Sequence, residues 1–231
     1  MKQFIVISGI DGCGKTTVIE HLLKKLEQQG YKTQYAWMRY NHRLVKPVHG
    51  LCRLVGLSRR YKIDGQYIWR HEFYQSRLFS SFYIILTWLD VWLGRLLLEI
   101  KLLLKNVDVV VCDRWIQDVI IDLIVDTKRY DLLRGKWYKR FVRVLPAFTR
   151  QYLIVRNTES IVTHRPDVTR DISFKLRRKL YKRMMKIPDI VVIYNENTVD
   201  SAANAILSDW INGQACTLTN IAAPEHVKSK V

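Results

Sequence analysis

Gln3-Phe4-Ile5-Val6-Ile7-Ser8-Gly9-Ile10-Asp11-Gly12-Cys13-Gly14-Lys15-Thr16-Thr17 is the stretch on which the reading of this chain turns. Residues 9–16 fit Gly-x-x-x-x-Gly-Lys-[Ser/Thr], the phosphate-binding P-loop pattern. The setting supports the match. The run before it is apolar and β-branched, as a buried strand requires. After it Val18, Ile19, Leu22, Leu23 and Leu26 recur at helical spacing, with His21, Lys24, Lys25 and Glu27 on the other side. Gly30 stands where that helix would stop. In a strand–loop–helix unit of this kind the backbone N–H groups of Gly9, Ile10, Asp11, Gly12, Cys13, Gly14, Lys15, Thr16 and Thr17 turn inward on phosphate oxygens. The helix N-terminus adds positive potential. Lys15 is expected to reach the outer phosphates of ATP, and Thr16 to offer its hydroxyl to Mg²⁺.

The rest of the chain supplies further strands for the same sheet. Residues 33–38, 107–112, 151–155 and 190–194 are apolar runs of strand length. Residues 107–112 are uniformly apolar, which suits a strand buried on both faces of a parallel sheet. These runs predict an α/β fold, a five-stranded parallel sheet with helices on both faces. At 231 residues the chain is one such domain, over residues 1–212, followed by a mobile tail at 213–231. Asn197 is placed to cap the last helix. Residues 40–66 read as a loop-rich insert holding one helix, and residues 67–104 as helical and very apolar. The length of that apolar run raises a membrane span, but Asp90 near its middle would be costly in lipid. A helix covered by the sheet on one side and by a second subunit on the other is the reading preferred, hence a homodimer through residues 78–104.

Charge is strongly asymmetric. The formal net charge is +17, and between Lys128 and Lys186 18 Lys/Arg stand against 4 Asp/Glu. A site for anionic nucleotides, a nucleic-acid surface, an acidic-membrane surface and a merely solvated basic face all remain open for that segment. Asp118, Asp122 and Asp126 recur every four residues on one helix, an acidic ridge that is either solvated, turned to the basic segment or set against a substrate hydroxyl. The four cysteines, Cys13, Cys52, Cys112 and Cys216, show no Cys-x-x-Cys pairing, and the P-loop strand starts almost at the N-terminus, leaving no room for a secretory signal. Both point to the cytoplasm.

The strand at 107–112 ends in Asp113-Arg114-Trp115, where open α/β sheets bind ligands. There Asp113 can orient Mg²⁺ and Arg114 can clamp a phosphate. Arg165 and Arg170 lie in a polar segment, residues 158–171, that reads as a lid closing on phosphates. With these elements placed, the chain resembles the thymidylate kinase family of P-loop nucleoside monophosphate kinases over roughly residues 3–211. Asp11 in the loop, Arg39 after the second strand, Asp113-Arg114-Trp115, and Phe73-Tyr74-Gln75-Ser76-Arg77 carry the resemblance. It implies an ATP- and Mg²⁺-dependent phosphotransferase with dTMP as acceptor. Asp11 would touch the acceptor's sugar, Arg39 and Arg114 its phosphate, and Phe73 and Arg77 its base. Kinases of the family pair through helices near 78–104. Departures are present: Arg39 lacks the family's following Glu-Pro-Gly, and Asp118, Ile121 and Asp122 hold places where the family brings Ser, Ala and an aromatic or glutamine to the base. Gly12 is not arginine, so Arg165 and Arg170 would supply the catalytic charge. A kinase for another nucleoside, nucleotide or phosphorylated small molecule is the alternative, and a nucleotide-binding module that docks on nucleic acid or anionic membrane a further one.

Overall fold

A computed structural model describes residues 2–39, 43–63, 66–196 and 198–221. Its centre is β1 (Gln3–Gly9), buried along almost its whole length. Beside it lie β5 (Val109–Asp113) and β6 (Thr149–Val155), with β2 (Thr33–Trp37) and β7 (Ile190–Tyr194) at the edges, giving the order β2-β5-β1-β6-β7. Every pairing in this sheet is parallel. The three inner strands are the continuous apolar runs of the sequence, whereas β2 alternates as an edge strand should. Register fixes the position of the site: Ile7 pairs with Asp113 and Asp113 with Trp37, so β1, β2 and β5 end together.

Helices cover the sheet. In α1 (Lys15–Gln28) Val18, Ile19, Leu22 and Leu26 are buried, the stripe expected from spacing. In α4 (Ile116–Thr127) nearly every residue is buried, including Gln117 and Asp118. The last helix, α8 (Val199–Ile221), packs Trp210 edge-on against Tyr31 at 5.2 Å. It continues past Gly213, where the sequence pattern fades. Asn197 and residues 222–231 lie outside the described residues.

Residues 58–71 correct the sequence reading. They form an antiparallel hairpin, β3 (Ser58–Ile63) with β4 (Gln66–His71), where an irregular insert and the start of a helix were expected. Its exposed face is held by cation–π contacts, with Arg60 3.7 Å above Tyr67 and Arg53 of α2 (Val45–Leu54) 4.8 Å above Trp69. The Asp64-Gly65 pair between two aromatic runs is the hairpin signal that the apolar count of the following helix obscured. The helix itself, α3 (Arg77–Leu103), starts only after a 3₁₀ turn at Phe73–Gln75, with the Ser76 side chain capping Phe79 N–H at 3.2 Å.

Asp90, the charge that argued against a lipid environment, has a structural task. It is 3% exposed, and its carboxylate accepts from the backbone N–H groups of Arg43 and Leu44 at 3.0 and 3.1 Å. It therefore satisfies the open N-terminal turn of α2 from a neighbouring helix. Asp90→Ala should destabilise the fold by about 2–3 kcal/mol, because buried N–H groups lose a charged acceptor. Chemical denaturation with hydrogen exchange checks this; unchanged protection in α2 would remove Asp90 from that role.

Candidate active site

The loop between β1 and α1 closes with Gly12 at φ +86° and Gly14 at φ +91°, backbone conformations that favour glycine. Lys15 is buried and its Nζ donates to the Ile10 carbonyl at 2.7 Å, folding the side chain back over the loop. Asn195, the residue after β7, was missed in the sequence. Its Nδ2 donates to the Cys13 carbonyl at 2.9 Å, and a Cβ on Gly14 would come within 2.5 Å of the same nitrogen. Its signal was only a polar residue directly after a parallel strand, on the edge where such sheets bind ligands.

Asp113 ends β5 beside this loop. Its Oδ2 accepts from the Tyr35 hydroxyl at 3.1 Å, and its buried Oδ1 has no hydrogen-bond partner among the described residues. Burial raises the Asp113 carboxyl above its ordinary range, an effect the Arg114 guanidinium opposes. An unsatisfied buried carboxyl oxygen within electrostatic reach of Lys15, at the start of α1, fits a hard cation that takes oxygen ligands. Among the described residues no three His, Cys, Asp or Glu side chains form a metal cage, so such a cation would need nucleotide phosphates to complete its shell.

Arg114 follows at φ +63°, a strained value for a side-chain-bearing residue, with its N–H held by the Ile7 carbonyl at 2.8 Å. This turn swings its guanidinium toward the loop, where it bonds Asp11 and Asp118. Arg39, 7% exposed, donates to both oxygens of Asp122 at 3.1 and 3.0 Å and stands 3.6 Å from Asp11. Arg177, on α7 (Phe174–Met184), bonds Asp122 as well and reaches Asp171 at 3.1 Å. Burial pushes the carboxyls of Asp11 and Asp122 upward, but the facing guanidinium groups, Arg114 for Asp11 and Arg177 for Asp122, win and hold both below the usual carboxylate range. The acidic ridge thus faces the basic segment, one of the readings left open: Asp118 is fully buried and also accepts from the Tyr181 hydroxyl at 2.7 Å.

The lid consists of α6 (Thr158–His164) and a 3₁₀ turn, Pro166–Arg170. It lies close over the loop, since a Cβ on Gly12 would meet Ile161 Cγ2 at 2.8 Å and Arg165 Cβ at 3.5 Å. Arg165 is half-exposed, paired with Asp167 through two bonds of 2.8 Å, and within electrostatic reach of Asp11. The side chain of Arg170 lies outside what the structure describes.

Beyond Asp11 opens a cavity of about 420 Å³. Arg39, Asp122 and Arg177 line its charged part; His49, Tyr61, Trp69, His71 and Tyr83 give an aromatic wall. Phe73 and Arg77, the residues expected to recognise a base, do not line it. Phe73 is fully buried beneath the wall, its ring 5.0 Å from His71 and 4.4 Å from Tyr83, and Arg77 is exposed at the first turn of α3. The hairpin brings Trp69 and His71 over the place that Phe73 was expected to occupy.

Asp126 also lines the cavity, half-buried, and burial, with Asp122 beside it, pushes its carboxyl from 3.8 up to about 8. Arg177 from α7, Arg70 from β4 and Lys128 pull the other way, too weakly to restore it. Below about pH 4 the group is protonated in folded and unfolded chains alike; between about pH 4 and 8 only the unfolded chain releases the proton, so stability falls as pH rises. Asp126→Asn removes this titration. The melting-temperature gain of the variant should therefore widen from about pH 5 to about pH 8; a constant gap would mean the carboxyl ionises normally.

No protein-family model matches the chain, and no curated protein is significantly similar to it in sequence. A solved structure of thymidylate kinase from Candida albicans matches with a TM-score of 0.56 at 16% identity, covering 92% of each chain. The chain shares the fold of that structure, an α/β architecture with a five-stranded parallel sheet.

Proposed function

We propose that the protein transfers the terminal phosphoryl group of ATP to the phosphate of a nucleoside monophosphate, releasing ADP and a nucleoside diphosphate. The observation that carries this reading is the meeting of two cationic sets at Asp11. Lys15 and the loop amides lie on one side of it, and Arg39 and Arg114 bond or face its carboxylate from the other. A donor held on the loop and an acceptor phosphate competing with Asp11 for the two arginines would be neighbours.

In this mechanism Lys15 and the loop N–H groups hold the donor phosphates. Arg39 and Arg114, rigidly carried by carboxylates, orient the acceptor phosphate so that its oxygen attacks in line as the bond to the ADP oxygen breaks. Arg165 turns from Asp167 toward the transferring group, with Arg170 as the second lid cation, and neutralises charge there. Thr16 and Asp113 would hold Mg²⁺, which screens the charge of the nucleotide phosphates when bound. The resemblance implies dTMP as the acceptor, yet Phe73 and Arg77, which would recognise its base, are placed away from the cavity. The cytoplasm supplies ATP and suits the described cysteines, Cys13, Cys52 and Cys112, all free and buried.

ADP release from ATP in the presence of a panel of nucleoside monophosphates tests the reaction. At least one acceptor should support turnover, and Lys15→Ala should lower it by about 100- to 1000-fold while circular dichroism stays unchanged. Release of ADP that no monophosphate accelerates would overturn the reading.

We further propose that α3 pairs with α3 of a second copy. Leu78, Phe82, Ile85, Leu89, Trp92 and Leu96 are exposed at alternating steps of four and three, a coiled-coil seam facing outward. The buried face of the same helix mixes Tyr83, Ile84, Leu98 and Leu102 with Ser80, Thr87, Asp90 and Gly94, so the outer stripe is the more uniformly apolar one. Only 28% of the most apolar window is buried within the chain. Sedimentation equilibrium should give a dimer, and Leu89→Asp with Trp92→Asp a monomer. A parent protein that stays monomeric but binds lipid vesicles would assign the stripe to a membrane instead.

A further inference from the structure

The ridge carboxylates divide into two kinds. Asp118 is taken up by Arg114 and Tyr181, and Asp122 by Arg39 and Arg177. Asp118 keeps a buried Oδ2 without a partner among the described residues but does not line the cavity, and Asp122 cannot turn to a ligand without breaking a buried ion pair. Asp126, one turn further along α4, lines the same cavity and among the described residues has no hydrogen bond or ion pair to any side chain. Arg70, on β4, lines it too, and its buried Nε has no hydrogen-bond partner among the described residues. The two side chains attract one another yet form no ion pair among the described residues. A buried donor and a carboxyl group left open in one cavity are unfavourable until a ligand satisfies both.

The wall beside them selects the shape of that ligand. His49 and His71 stack at 4.2 Å and 22°, and with Trp69 and Tyr83 they give the cavity flat aromatic surface, which favours a planar heterocycle. The hydrogen-bonding demand selects its chemistry. A carboxylate accepts N–H bonds and is suited to exocyclic amino groups; an arginine donates to ring nitrogen and carbonyl acceptors, guanine O6 and N7 above all. Thymine has a single ring N–H flanked by two carbonyl oxygens, which a carboxylate repels. Resting on the kinase reading given above, we propose that Asp126 and Arg70 recognise the acceptor base, and that this base carries an amino group beside a hydrogen-bond acceptor, guanine foremost, rather than thymine.

In the free cavity burial holds the Asp126 carboxyl protonated up to about pH 8, and N–H donors on a bound base favour its ionised form. Initial rates of ADP release with GMP, dGMP, AMP, CMP, UMP and dTMP test the proposal. The guanine nucleotides should exceed dTMP in kcat/KM by about 10- to 100-fold. Asp126→Asn, whose amide presents a donor as well as an acceptor, should shrink that ratio by about tenfold or more. Arg70→Met, on another element, should shrink it as well and guards against a misfolded Asp126 variant. A purely structural role for Asp126 would lower all acceptors alike and leave the ratio unmoved, which would overturn the inference. Preference for dTMP or UMP in the parent would also overturn it while leaving the kinase reading in place; only a failure of every monophosphate would sink both.

Discussion

Cations and carboxylates alternate through the centre of this molecule. Asp118 holds Arg114, Arg114 holds Asp11, Asp11 faces Arg39, Arg39 holds Asp122, Asp122 holds Arg177, and Arg177 ends on Asp171. The series joins the loop after β1, the ends of β2 and β5, α4 and α7. Three guanidinium groups packed near one another would repel, and intervening carboxylates make their burial tolerable. Such pairs add little net stability, because desolvation cancels much of the attraction, but removing one member costs about 3–5 kcal/mol by stranding its partner. The arrangement is therefore best understood as positioning. Asp11 and the terminal Asp171 are the exposed carboxylates of the series; of the two, Asp11 is the one that faces both Arg39 and Arg114, so an incoming phosphate can replace it there while Asp118 and Asp122 stay in place.

Much of this was legible in the sequence, for definite reasons. The five strands were visible because central strands of a parallel sheet are apolar on both faces, and β5 reads Val109-Val110-Val111-Cys112 before its aspartate. Lys15, Asp113 and Arg114 were placed beside one another by the loop motif and by the end of β5, and Arg39 by the resemblance, and all four lie around the same loop. What escaped depends on contacts distant in sequence. Nothing local to Asn195 shows that its amide will meet the carbonyl of Cys13. The resemblance makes Phe73 a base-stacking residue, yet His71 of the hairpin, His49 of α2 and Phe79 and Tyr83 of α3 enclose its ring and make it core. The same hairpin was hidden because its aromatic residues run directly into those of α3, so that period two merged into a longer apolar stretch. The meaning of the acidic ridge also needed three dimensions, since spacing alone cannot distinguish a carboxylate beside arginine from one beside water.

α3 carries two unlike surfaces for the same reason that Asp90 is tolerated within it. Its inner face must meet the start of α2 and the cavity wall, where hydrogen-bonding groups are in demand. Its outer face has no such obligation and is free to be greasy. A hydropathy profile averages both faces and reports only a long apolar helix.

Gly12 has an implication for how such a loop can change. With no side chain there, Ile161 sits in the space a Cβ would take, and Arg165 lies within a few ångströms. Any larger residue at this position would displace α6 from its seat. Charge delivered from the loop itself and charge delivered by the overlying segment are thus mutually exclusive solutions in this architecture. A lineage moving from one to the other would have to rebuild both segments together, with single-step intermediates either crowded or lacking the cation.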